Sequence, residues 1–203
     1  MKNLVKVWFR QRIKLDEYLI AGIDVLQKFV HLLLTNEQEG TYCEQAEGIL
    51  DLELMMEDGY ELFLQSLDKR YYLPFYWEDM FEIYSNLKKI FAILQAYSTE
   101  KRIYKPHFSF SHFFELEYRV LENMRSFFQE YLTNRKYAEE LLKNNLHELK
   151  NFARLYYHGI ASIGREQGQS HITSRLLEVL LEINTVNNTI QDLLQKILIG
   201  TNL

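Results

Sequence analysis

Residues 15–33, LDEYLIAGIDVLQKFVHLL, set Leu15, Leu19, Gly22, Leu26, Phe29 and Leu33 at alternating spacings of four and three. That spacing returns side chains to one stripe of a helix, a heptad-like seam that has to bury against neighbouring helices. The pattern recurs 98 positions later in residues 113–131, FFELEYRVLENMRSFFQEY. There Leu15, Gly22, Leu26, Phe29 and Leu33 are answered by Phe113, Val120, Met124, Phe127 and Tyr131. A second echo, offset by 97, turns Leu52, Met56, Gly59 and Phe63 into Leu149, Ala153, Tyr156 and Ile160. One loop differing by a residue accounts for the change of offset. A repeat this long points to a duplicated helical unit, since solenoid repeats are shorter.

The rest of the chain extends the pattern. The first long helix is predicted over about 11–35, with Asn36 to Gly40 as its end. A second is predicted over about 42–68, with a seam of Ile49, Leu52, Met56, Tyr60 and Phe63. Pro74 interrupts the chain, and Glu78 and Asp79 suit the positive end of a third helix. That helix carries Met80, Ile83, Leu87, Ile90, Leu94 and Tyr97 in three–four alternation. Ser98 to His107, with Pro106, forms the midpoint, and Ser109 or Ser111 is positioned to cap a fourth helix. The fifth, over about 136–164, reads as a stripe of Leu142, Leu146, Leu149, Ala153, Tyr156, Ile160 and Ile163. After a polar loop at Gly164 to Ser170, the sixth carries Leu176, Leu180, Ile183, Asn187, Ile190, Leu194 and Ile197. Asn187 interrupts that seam, which reads as a register device. The expectation is one all-α domain over residues 1–203, a six-helix bundle. It is made of two pseudo-repeated antiparallel three-helix units, about 11–98 and 107–198, because short loops make neighbours antiparallel.

Composition narrows the function. The chain has 203 residues, 47% of them hydrophobic, enough for a substantial core. Only 8 Gly and 2 Pro leave few tight turns, which disfavours a many-stranded sheet. The single cysteine, Cys43, excludes an intrachain disulfide and a cysteine-only zinc site. No apolar run approaches the ~18 residues of a membrane span, and no signal-peptide pattern opens the chain, so a cytoplasmic protein is expected. Residues 1–15 carry Lys2, Lys6, Arg10, Arg12 and Lys14 and no acid. The formal charge of the whole chain is −5, so the remainder carries −10. An acidic body argues against nucleic acid as the partner, because phosphate contacts need a basic footprint.

Two features carry candidate chemistry. Glu53 and Glu57, four apart, share a helix face and supply part of a site for a hard or borderline metal. Their echoes are Lys150 and Arg154, which repel a metal. The plain reading of that cationic pair is a solvated basic edge; the sharper one is that the carboxylate pair and the cationic pair neutralise each other across the bundle. The other feature is the basic segment 1–14. If helical, it lines Lys2, Lys6, Arg10 and Lys14 on one stripe and Leu4, Trp8 and Leu15 on another, a pattern suited to an anionic membrane surface or an acidic partner. The histidines show no paired ligand spacing. Arg102 and His107 match a short Arg/His motif of some helical ribonucleases only superficially, across a proline. Glycine-rich phosphate loops and the nucleophile elbow are absent from the sequence. Tyr71, Tyr72, Phe75, Tyr76 and Trp77 form an aromatic cluster near a helix junction, either a bundle cap or a subunit contact.

Residues 46–94 resemble the PhoU-like phosphate-transport regulators, in particular the stand-alone branch associated with Pit-type permeases. The resemblance rests on Leu52-Glu53-x-x-x-Glu57, on Pro74-Phe75 with Glu78-Asp79 opening the third helix, and on the duplicated three-helix layout. It implies a regulator of phosphate uptake whose facing acids bind iron or zinc clusters. This chain departs from that pattern. Lys88, Lys89 and Ala92 stand where the family places aspartates, the fifth helix has Lys150 and Arg154, and the sixth keeps Glu182 but has Val186 and Thr189 where acids are usual. Glu53, Glu57 and Glu182 remain as metal candidates. The resulting expectation is a non-enzymatic regulator with degenerate metal sites and no cofactor. It would bind the cytoplasmic face of a phosphate permease or another regulatory protein. Lys2, Lys6, Trp8, Phe9, Arg10 and Lys14 would form the partner or membrane-surface contact, and homo-oligomers could form through exposed faces. The alternatives are a metal-binding bundle retaining one weak carboxylate site and, last, a helical nuclease.

Overall fold

In a computed structural model the described backbone covers residues 2–39, 46–68, 77–104, 109–163 and 170–200. Side chains are described over 15–39, 48–67, 77–101, 109–161 and 173–200. These residues form six helices and no strand: α1 (Lys2–Glu39), α2 (Ala46–Asp68), α3 (Trp77–Tyr104), α4 (Ser111–Glu130), α5 (Arg135–Ile163) and α6 (Ser170–Gly200). Two boundaries differ from the expectation. The basic N-terminal segment is not separate from the first helix, because α1 is helical from Lys2 onward. Helix α3 continues through the first part of the expected midpoint, to Tyr104.

Packing runs from α1 to α4, α5, α6, α3 and back to α1, while α2 leans on α1 and touches α3 only lightly. The seams explain this order. Leu15, Leu19, Leu26, Phe29 and Leu33 of α1 are buried, as are Phe113, Val120, Met124 and Phe127 of α4 and Tyr131 just beyond it. The α3 stripe from Met80 to Tyr97 and the α6 stripe from Leu176 to Ile197 are also buried throughout. Each large apolar side chain removed from water in this way contributes about 1.5–3 kcal/mol. Along α1·α4 a ladder of polar contacts fixes an antiparallel register. Tyr131 Oη donates to Asp16 (3.0 Å), Arg125 Nε pairs with Asp24 (2.7 Å) and Gln27 Nε2 donates to Glu122 (2.8 Å).

In α5 the buried stripe is Ala138, Leu142, Asn145, Leu149 and Phe152. The expected stripe shared Leu142 and Leu149 with it but placed Leu146 and Ile160 inside, and both are 37% exposed. The reason is a polar residue on the inner line. Asn145 donates from Nδ2 to Gln191 Oε1 (3.0 Å), and Gln191 in turn donates to the Leu142 carbonyl (2.9 Å).

Helix ends follow local rules. Glu78 and Asp79 occupy the first turn of α3. Asn134 precedes α5 and accepts from the Tyr137 amide at 3.2 Å, an N-cap bond. Arg135 reaches the Leu198 carbonyl at 3.1 Å, placing a cation at the negative end of α6. Neither Ser109 nor Ser111 takes the cap position of α4. Phe110 does, without a side-chain cap bond, and its buried ring packs edge-on to Tyr97 at 5.4 Å.

The stretch Leu15–Glu39 is long and apolar enough to cross a membrane, which corrects the expectation that no such stretch exists. It serves here as the helix against which α2, α3 and α4 all pack, and half of that stretch is buried.

Candidate functional site: carboxylates and lysines on α2, α3 and α6

Tyr84 of α3 sets the geometry of the site. Its ring is fully buried between α1 and α2, where two glycines make room. A Cβ on Gly22 would sit 3.2 Å from the ring, and one on Gly59 would sit 2.6 Å from the hydroxyl. Burial, and secondarily the charge of Glu57, pushes the Tyr84 phenol well above its ordinary range. Its hydroxyl is buried without a hydrogen-bond partner among the described residues.

One helical turn further along α3, two adjacent lysines face different neighbours. Lys88 Nζ lies 2.7 Å from Glu57 Oε2 of α2 and 4.3 Å from the centre of the Tyr60 ring. Lys89 Nζ lies 3.0 Å from Glu182 Oε1 of α6. Consecutive residues project about 100° apart on a helix, so the two pairs diverge. Glu57 and Glu182 therefore stand on different sides of α3, each beside an ammonium. Glu53 is half-buried and has no ion-pair partner among the described residues. The three candidate carboxylates are not brought together, and among the described residues no group of three His, Cys, Asp or Glu side chains is placed to hold a metal ion.

The expected cancellation of Glu53 and Glu57 by Lys150 and Arg154 is not what the structure shows. Lys150 and Arg154 are exposed on α5, and Arg154 contacts Asn151 within its own helix (3.4 Å). Helix α5 packs on α4 and α6 instead. The cation that answers Glu57 comes from α3, next in sequence. Both pairs are partly exposed, so each contributes about 0–1 kcal/mol. Contact with the Tyr60 face adds about 0.5–1 kcal/mol to the first.

The side chains of Lys2, Lys6, Trp8, Phe9, Arg10 and Lys14 lie outside the described residues, as do those of Cys43, Tyr71, Tyr72, Phe75, Tyr76, Arg102, His107 and His171. His31, His112, His147 and His158 are exposed, and His112 pairs with Glu115 at 3.2 Å. An open polar groove between α4 and α5 is lined by Arg119, Asn123, Asn144 and His147. Its arginine is already paired with Glu148 (3.2 Å).

Two buried polar centres escaped the sequence reading. Glu37 of α1 accepts from Tyr97 Oη (2.7 Å), from Lys101 Nζ (2.8 Å) and from the Phe110 amide (3.2 Å). The Glu37 and Lys101 side chains are each 4% exposed, and burial lowers the Lys101 pKa against the pull of Glu37. Glu117 of α4 is fully buried and accepts from Asn187 Nδ2 at 2.6 Å. Burial pushes Glu117 up to about 8, partly countered by that hydrogen bond. A signal for Glu117 existed, because it stands 98 positions after the seam residue Leu19.

Compared with known proteins, the chain matches no protein-family model and no curated protein.

Proposed function

We propose that this chain is a helical adaptor of the PhoU-like kind, acting in the regulation of phosphate transport by binding a protein partner, not by catalysis. The observation that carries the reading is the pairing of Glu57 with Lys88 and of Glu182 with Lys89. Two of the three acids left from the implied metal sites have a lysine beside them, and those lysines stand where the resemblance puts aspartates. An ammonium at 2.7 Å supplies the charge that a bound cation would otherwise supply. Helices of the same rank in the two halves meet where α1 packs on α4 and α3 on α6, whereas α2 leans on α1 and not on α5.

The partner in this reading is the cytoplasmic face of a phosphate permease or another regulatory protein. The contact is the basic stretch with Lys2, Lys6, Trp8, Phe9, Arg10 and Lys14, which also suits an anionic membrane surface. The test is removal of residues 1–14. Binding to phosphatidylserine-containing vesicles and to membranes carrying the permease should disappear, with helicity and melting of the bundle retained. Undiminished binding by the truncated protein would overturn the assigned contact.

A further inference from the structure

Among the described side chains, α2 buries the fewest of its apolar residues. Of its described apolar side chains only Met56 and Phe63 are fully buried, while Leu50 and Leu54 (each 55% exposed), Met55 (46%) and Leu62 (50%) face solvent. These residues are arranged around a line of charge. At 100° per residue, Asp51 and Asp58, seven apart, fall on one strip of the helix. Leu50 and Leu54 flank that strip on one side, and Met55 and Leu62 flank it on the other. Both aspartates are exposed, and α2 as a whole carries seven acids and no Lys, Arg or His. Leucines exposed this far are costly in water, and an acidic strip between two apolar rims is a surface made for a cationic amphipathic helix.

The chain contains a segment with the complementary composition. Residues 2–14 hold five cations and no acid, with Lys2, Lys6, Arg10 and Lys14 recurring every four residues among Leu4, Val5, Trp8, Phe9 and Ile13. The segment is the first part of helix α1. Thirteen helical residues span about 20 Å, against about 34 Å for the length of α2, so the segment fits along the strip. It cannot reach the strip of its own chain. Helix α1 runs unbroken from Lys2 to Glu39, and α2 turns its Met56 and Phe63 side inward, opposite the aspartates.

From this we infer that the Asp51–Asp58 face of α2 receives the basic segment 2–14 of a second copy of this chain. Reciprocal exchange gives a closed dimer in which each copy donates one segment and accepts one. The same segment is the proposed partner contact, so a dimer holds that contact in reserve. The dimer itself is measured on the protein alone and stands or falls separately from vesicle binding.

The experiment is sedimentation equilibrium of the full chain at low and at high salt. A concentration-dependent dimer that weakens in high salt is expected. Asp51→Lys with Asp58→Lys should weaken it by at least about tenfold, because like charges then meet across the contact. Lys6→Glu with Arg10→Glu should do the same. Mixing the two variants should restore a heterodimer, with one of its two contacts bearing swapped charges. All four positions are surface charges or lie in the basic segment, and circular dichroism checks that the helices are retained. A monomer at every concentration would overturn the proposal. So would a dimer indifferent to either pair of substitutions, or loss on α2 reversal without loss on reversal of the segment.

Discussion

The Lys88 ammonium sits 2.7 Å from the Glu57 carboxylate, with the Tyr60 ring 4.3 Å away on α2. The contact ties α3 to α2, which it otherwise touches only lightly. It also changes the chemistry open to Glu57. A cation approaching that carboxylate must displace an ammonium already beside it. With Lys89 holding Glu182 on another side of α3, two of the three candidate carboxylates are engaged separately.

Glu117 makes stability depend on pH in an unusual direction. Its carboxyl titrates near 8 in the folded chain, against an ordinary 4.5. Between those values the folded protein holds a proton that the unfolded chain has released. This group therefore lowers stability as pH rises from about 4.5 towards 8, with a slope approaching ~1.4 kcal/mol per pH unit. Glu117→Gln keeps the shape and removes the titration. Urea unfolding should show the variant gaining roughly 3–4 kcal/mol on wild type between pH 5 and pH 8. An unchanged pH slope in the variant would rule out this role.

The Glu37–Lys101 pair is a structural centre at the far end of α1. Removing either partner leaves a buried charge unmatched, and Lys101→Met or Glu37→Gln alone should cost about 3–5 kcal/mol. Glu37→Gln retains side-chain groups for Tyr97 and the Phe110 amide, so the double replacement should recover much of the single losses. A double-mutant cycle by denaturant melts measures the coupling, and additive losses would contradict it.

Tyr84 under Gly59 gives a steric prediction. An exposed helical glycine gains up to about 1 kcal/mol on replacement by alanine. Gly59→Ala should lose stability instead, because the new Cβ meets the Tyr84 hydroxyl at 2.6 Å. Tyr84→Phe removes that oxygen, which is itself buried without a partner among the described residues. Thermal melts should find Gly59→Ala destabilised in the wild-type background and neutral or stabilised in the Tyr84→Phe background.

Most of the helical scaffold was legible in the sequence, because α1, α3, α4 and α6 bury long stripes of one apolar phase. Helix α5 was misread by one position at Leu146, Ala153 and Ile160, in the first case because a buried amide carries no apolar signal. Asn145 is inside for its bond to Gln191, and only the contact reveals that. The site was legible in its residues but not in its pairing. Lys88 and Lys89 stood out as departures from the resembled pattern, whereas which carboxylate each would meet depends on how helices pack. Glu117 was overlooked because a glutamate on a helix is ordinarily solvated, and its place in the echo of Leu19 was the only clue.

The most direct test of the central claim is elemental mass spectrometry of the purified full chain, before and after incubation with iron, zinc and magnesium. No stoichiometric metal is expected under any of these conditions, with Glu57 and Glu182 held by their lysines. Stoichiometric metal that is lost on Glu53→Ala and Glu57→Ala would contradict it and make the chain a carboxylate metal site after all.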